Sequence, residues 1–133
     1  METSFAFICD SANESGGKIN VLGLGWEVIH TAETPYTHPQ LYVVAKFQFH
    51  TTEVGEKNVE LRMIDADGGD ILPVVRAQLN VPTPSTGTTT SVNLVMGLNG
   101  LKLPTFGQYS AHININGEER VRLPFRLASS QSK

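Results

Sequence analysis

Apolar residues return at every second position along most of this chain, and no window of about a dozen residues repeats them at three and four. Period two sends alternate side chains to opposite faces of a strand, so each such run predicts a strand with one buried face and one wetter face. The runs are Leu41, Val43, Ala45, Phe47 and Phe49; Val59, Leu61 and Met63; Val75, Ala77, Leu79 and Val81; Val92, Leu94, Met96 and Leu98; Tyr109, Ala111, Ile113 and Ile115; and Val121, Leu123, Phe125 and Leu127. Two earlier segments join them, SFAFIC near residues 4–9 and KINVLGLGWEVI near 18–29. In the second the apolar phase slips by one residue beside Gly23 and Gly25, which predicts a β-bulge. Turn chemistry separates the runs: Glu14 to Gly17, the proline-punctuated stretches 31–40 and 82–87, and the pair Asn116-Gly117. About seven to nine short strands with turns between them predict an all-β fold, an antiparallel immunoglobulin-like β-sandwich with little or no helix.

The 133 residues suit one domain, expected over 1–128 with a flexible polar tail at 129–133. A chain of this size buries enough surface for a core without metal or disulfide staples. Hydrophobic residues at 40 % and charged residues at 17 % belong to a globular chain. The net charge of −3 comes with no basic run, so a nucleic-acid partner is not expected. One cysteine, Cys9, excludes an internal disulfide and a cysteine-based zinc site. No stretch approaches the roughly 20 apolar residues that span a bilayer. The start METSFAFICD lacks the basic region of a secretory signal, and a cytoplasmic location is expected.

The most site-like string is MIDADGGDIL, with Asp65, Asp67 and Asp70 around two glycines. A calcium loop of the helix–loop–helix type needs acids at its positions 1, 3 and 5, glycine at 6 and glutamate at 12. Counting from Asp65, those last three places hold Gly69, Asp70 and Arg76, so the string reads as a turn, with a weak cation site as the sharper alternative. In the turn reading Asp65 ends one strand, Gly68-Gly69 turn the chain, and Ile71 starts the next. His30, His38, His50 and His112 show no zinc spacing. The Gly23-Leu24-Gly25 triplet lacks the third glycine and the helix of a dinucleotide fingerprint. Cys9, in an apolar strand, reads as an inert core thiol. No catalytic, cofactor or metal set can be assembled from spacing, and no cofactor is expected.

Three groups of residues remain as binding candidates. Trp26, Tyr36 and His38 are candidates for a small ligand or carbohydrate, with core packing as the plainer role for Trp26. Tyr42 and Val44 put bulk on the face opposite Leu41 and Val43; that strand is then covered on both sides or meets a partner. Arg120, Arg122 and Arg126 form a stripe on the last strand, either a solvated edge that discourages strand addition or a dock for an acidic partner.

The stretch from Leu101 to Leu127 resembles the tyrosine corner and last hairpin of immunoglobulin-like and fibronectin type III sandwiches, with Tyr109 in the corner and Leu103 and Gly107 before it. The whole chain resembles a family of small bacterial proteins grouped as a domain of unknown function. The resemblance runs through FAFICDSAN, GKINVLGLGW, THPQLYVVAKF, RMIDADG, LNVP and GQYSAHININGEE. It implies a bacterial or phage origin and a stand-alone sandwich, and it carries no activity. The expected function is a non-catalytic protein-interaction module, self-associating through the Tyr42/Val44 face or an edge strand and thus a possible homo-oligomer. A small-ligand or carbohydrate-binding sandwich is the alternative, and an enzyme ranks last.

Overall fold

Each of the six alternating runs becomes a strand, and the computed structural model describes residues 1–130. Ten strands form: β1 Glu2–Cys9, β2 Ser11–Ser15, β3 Lys18–Leu22, β4 Val28–Thr31, β5 Tyr36–His50, β6 Gly55–Asp65, β7 Val75–Val81, β8 Thr89–Leu103, β9 Gly107–Ile115 and β10 Glu118–Ser129. The described residues add one short 3-10 turn, Thr51–Glu53, and contain no helix long and apolar enough to cross a membrane.

The strands divide into a three-stranded sheet, β1-β5-β8, and a five-stranded sheet, β4-β10-β9-β6-β7. All pairings are antiparallel except that of β4 with β10. The chain crosses between the sheets from β4 to β5, from β5 to β6, from β7 to β8 and from β8 to β9, an immunoglobulin-like order. The two sheets meet through Leu41, Val43 and Phe47 of β5, Leu61 and Met63 of β6 and Ile113 of β9, all without solvent exposure. This is what period two dictates, because one residue of slip would turn each apolar row out to water.

A third layer covers the other face of the three-stranded sheet. Strands β2 and β3 pair only with each other, and Ala12, Ile19 and Val21 pack on Phe7, Cys9, Tyr42, Val44 and Val95. Strand β5 is therefore buried on both sides.

Several boundaries differ from the sequence expectation. Ten strands form rather than seven to nine, because the amino-terminal segments break into four. The phase slip at Gly23 and Gly25 is not a bulge: both take φ of +72° and +97°, and the chain leaves the hairpin there to join the other sheet as β4. The proline stretch 31–40 is not all crossing, since β5 already begins at Tyr36. Strand β7 begins at Val75 and not at Ile71; between them only Ile64 and Asp70 bridge and Ile71 N–H donates to Met63 O. At the carboxyl end β10 runs through Ser129, and Ser130 N–H donates to Thr31 O; the remainder of the predicted tail lies outside the described residues.

Strands β5 and β8 change faces together. Leu94, Met96 and Leu98 face the core, and then Leu101 and Leu103 do, although the pairing register holds constant from Tyr36↔Leu103 to His50↔Thr89. Opposite Pro39 stands Gly100 with φ +65°, a left-handed conformation that glycine adopts without a Cβ penalty. The paired strands rotate at this point, and Tyr36 and His38 swing onto the core side.

Tyr109, buried at the start of β9, bonds back to the preceding loop. Its hydroxyl donates to Thr105 O at 2.6 Å and accepts from Thr105 N–H at 3.2 Å. Its ring stacks on Phe125 with centroids 5.6 Å apart. Tyr109→Phe keeps the ring and loses both bonds; unfolding in denaturant should show a loss of about 1–2 kcal/mol.

Candidate functional site

Trp26, Tyr36 and His38 come together as the sequence suggested, but on the core side of β5 and not in a loop. Tyr36 Oη lies 3.2 Å from His38 Nδ1. The His38 ring sits 5.9 Å from that of Trp26, which in turn meets Phe125 edge-on at 6.2 Å. These contacts close one end of the sandwich with aromatic rings, which supports packing over a free ligand platform. A small groove of about 200 Å³ reaches Trp26, between Phe7, Gly25, Glu27, Leu123 and Pro124. Trp26 Nε1 is buried there without a hydrogen-bond partner.

Burial beside these rings disfavours a charged imidazole and pushes the His38 pKa below its ordinary value, against an opposing pull from Asp10. The sign for stability follows. Below about pH 6.5 the unfolded chain takes up a proton at His38 that the folded chain resists, so stability falls as pH drops from there toward the folded value. The melting temperature should decline from pH 7 to pH 5, and His38→Gln should remove part of that decline.

Val44 has no exposure: the hairpin of β2 and β3 closes its face, so the residue does not offer a docking surface. Tyr42 lies half-buried across Gly97 of β8, where an added Cβ would come within 2.7 Å of the ring. Of the two readings for this face, the structure takes the covered one, and the cover is the chain's own hairpin.

The arginine stripe is likewise repositioned. Strand β10 lies inside the five-stranded sheet and is not an outer strand, with β4 paired to Arg126–Ser129. Among the described residues no strand pairs with its earlier half on that side, where Thr3 Oγ1 of β1 donates to Arg120 O at 3.5 Å. Arg126 N–H points toward β4 and donates to Glu27 O; by alternation the nitrogen of Pro124 faces the same way, just before β4 begins, and offers no donor to an added strand. Arg120 pairs with Glu118 at 2.6 Å beside a register shift between Glu119 and Val121. Proline, bulge and charge together blunt this edge.

The outer face of the same sheet holds a constellation that spacing had not disclosed. Ser110 Oγ lies 2.6 Å from His112 Nε2, and His112 Nδ1 lies 2.6 Å from Glu119 Oε1. Ser110 and His112 sit two apart on β9, so they share a face; the Asn116-Gly117 turn brings Glu119 back alongside. A carboxylate only accepts, so His112 donates Nδ1–H to Glu119, and the tautomer with its proton on Nδ1 accepts from the Ser110 hydroxyl at Nε2. This is the hydrogen-bond order that activates a serine. Acyl transfer also needs donors for the oxyanion, and β9 is an inner strand whose N–H groups face β6 and β10 in the ladder. The chain of bonds instead satisfies two buried polar side chains between the cross-strand neighbours Arg62 and Arg122. Ser110→Ala, which leaves Nε2 unpartnered, should cost about 1–3 kcal/mol in denaturant unfolding, and Glu119→Gln, which keeps an acceptor, should cost less. The readable signal was a serine and a histidine two apart on a wet face, followed by a tight turn and an acid.

The aspartate string is a turn held by its first member. Asp65 Oδ1 accepts from Asp67 N–H and Gly69 N–H, both at 2.9 Å, and Gly68 takes φ +84°. Asp70 turns away to pair with Arg62 through two bonds of 2.9 and 3.1 Å, and that guanidinium holds its carboxyl below the usual range. Among the described residues no group of three histidine, cysteine or acidic side chains could hold a metal ion. His30 is exposed on β4, and His50 accepts from Thr52 N–H at 3.3 Å to cap the 3-10 turn. Cys9 is fully buried, and burial followed by the nearby Asp10 pushes its thiol pKa up.

One long edge remains uncovered. Strand β8 pairs with β5 along its whole length except at Gly100 and has no strand on its other side among the described residues. From Ala77 to Leu101 the sequence holds no charged residue, and no proline follows Pro84 in that stretch. The devices that blunt β10 are missing here. The absence of charge was visible in the sequence; that this strand ends a sheet was not. A groove of about 720 Å³ between Asn58, Glu60, Arg76, Gln78 and Asn116 lies on the five-stranded sheet.

No curated protein matches the chain. The described family of unknown function DUF6941 matches residues 4–128, which takes in all ten strands but the margins of the first and last. The chain belongs to that family of unknown function.

Proposed function

We propose that this protein is a non-catalytic interaction module that binds other polypeptides by strand addition at β8. The observation that carries the reading is the uncharged, unpaired edge of a strand that is otherwise firmly held. An open edge offers a row of backbone N–H and C=O groups to any extended segment, and backbone hydrogen bonds then supply much of the affinity. The partner strand is bound by a rigid frame, since β5 behind it is buried on both faces. The setting we assign is the cytoplasm of a bacterium or of a phage-infected cell. The family resemblance read from the sequence and the free, buried Cys9 support it.

A photo-crosslinking residue placed at Ser91 or Asn99, both exposed on β8, should give a discrete adduct in the source cell. The same residue at Arg76, exposed on the opposite sheet, should give none. Equal adducts at all three positions, or none at 91 and 99, would overturn the proposal.

A further inference from the structure

We infer that the strand added at β8 is β8 of a second copy of this chain, running antiparallel about a two-fold axis near Val95. The inference rests on the strand-addition reading and names its partner.

Charge is the first argument. Like charges placed opposite one another on adjacent strands are destabilising, so a strand that pairs with itself must avoid them. Strand β8 is uncharged from Thr89 to Leu101, in a chain with 17 % charged residues. An edge evolved for a charged partner would carry the complementary sign, and this one carries neither.

Register is the second. Val95 is the midpoint of the uncharged segment 89–101. Antiparallel pairing about it sets Ser91 against Asn99 of the second copy and Asn93 against Gly97, so a hydroxyl faces an amide, and an amide side chain faces a residue that has none of its own and is covered by the Tyr42 ring. Lys102, the first charge beyond the segment, then meets Thr88 and not another lysine. The charged groups on neighbouring elements beside Ser91 and Asn93 are Glu14 and Lys46, one of each sign.

Symmetry is the third. Both copies use the same strand, so the contact is isologous and closes as a dimer. It joins two three-stranded sheets into one of six strands, β1-β5-β8 followed by its mirror order, and leaves β1 as the outer strand at both ends.

Light scattering coupled to size exclusion on the purified full chain tests this. The expected mass is twice 14.5 kDa. Ser91→Lys with Asn99→Lys sets ammonium groups against each other and should weaken association at least tenfold, with an unchanged melting profile for the monomer. Ser91→Lys with Asn99→Glu sets opposite charges against each other and should restore the dimer. A wild-type monomer at millimolar concentration, open-ended assemblies, or a dimer indifferent to the double lysine variant would overturn the inference. A monomer that still gives crosslinked adducts from positions 91 and 99 in the source cell would overturn the self-pairing alone. A monomer with no such adducts would overturn strand addition itself.

Discussion

Burial of β5 on both faces is the constraint from which the rest of the molecule follows. Leu41, Val43 and Phe47 face the five-stranded sheet, and Val44 faces the β2–β3 hairpin, each without exposure. A strand flanked by β1 and β8 and covered above and below must have neighbours at every contact, and those neighbours fix where the remaining elements lie. The hairpin supplies one cover by filling the passage between β1 and β4. The price is a segment, Gly23 to Glu27, that belongs to no strand and is held by the Trp26 ring and by Glu27 O, which accepts from Arg126 N–H. The proposed role uses the same rigidity, because an edge backed by an immobile strand presents its backbone groups in a fixed row.

The two sheets treat water differently. The three-stranded sheet is dry on both faces along the middle of β5, and polarity enters toward its margins, as when Asn93 Nδ2 donates to Glu14 Oε2 at 2.8 Å. The five-stranded sheet keeps a wet outer face organised by pairs: Arg62 with Asp70, Arg76 with Glu60, and the row Ser110, His112 and Glu119. The exposed ion pairs contribute little to stability. The row differs because Ser110 and His112 are buried, and buried polar groups must be satisfied.

The core was legible in the sequence. Period two named nearly every buried residue of β5, β6 and β9, since a sheet face reads directly as alternation. What alternation could not supply was which strands end a sheet. Arg120 and Arg122 looked like an edge, and only their half of β10 is one; β8 looked unremarkable, and it is an outer strand of its sheet. Edges are decided by strand order, a long-range property that no local window contains. Tyr36 and His38 failed for another reason. The proline before and the proline after suggested a loop, while the chain uses Pro39 opposite Gly100 to rotate a continuous strand pair. They were grouped with Trp26 as ligand candidates, and in the structure the His38 ring meets Trp26 on the core side.

The parallel pairing of β4 with β10 has a consequence for how the chain comes off the ribosome. Val28 and its partner Arg126 are 98 positions apart. At about 5–20 residues per second, β4 is made roughly 5–20 seconds before the strand it pairs with. Through that interval Ile29 and Trp26 lack the β10 side chains, Phe125 and Leu127, against which they pack. The hairpin and β1 can find β5 early, so one sheet closes during synthesis while the other waits for the last strand. Newly made chains therefore pass through a half-assembled state with one apolar flank open, and the order of the strands along the gene sets how long it lasts.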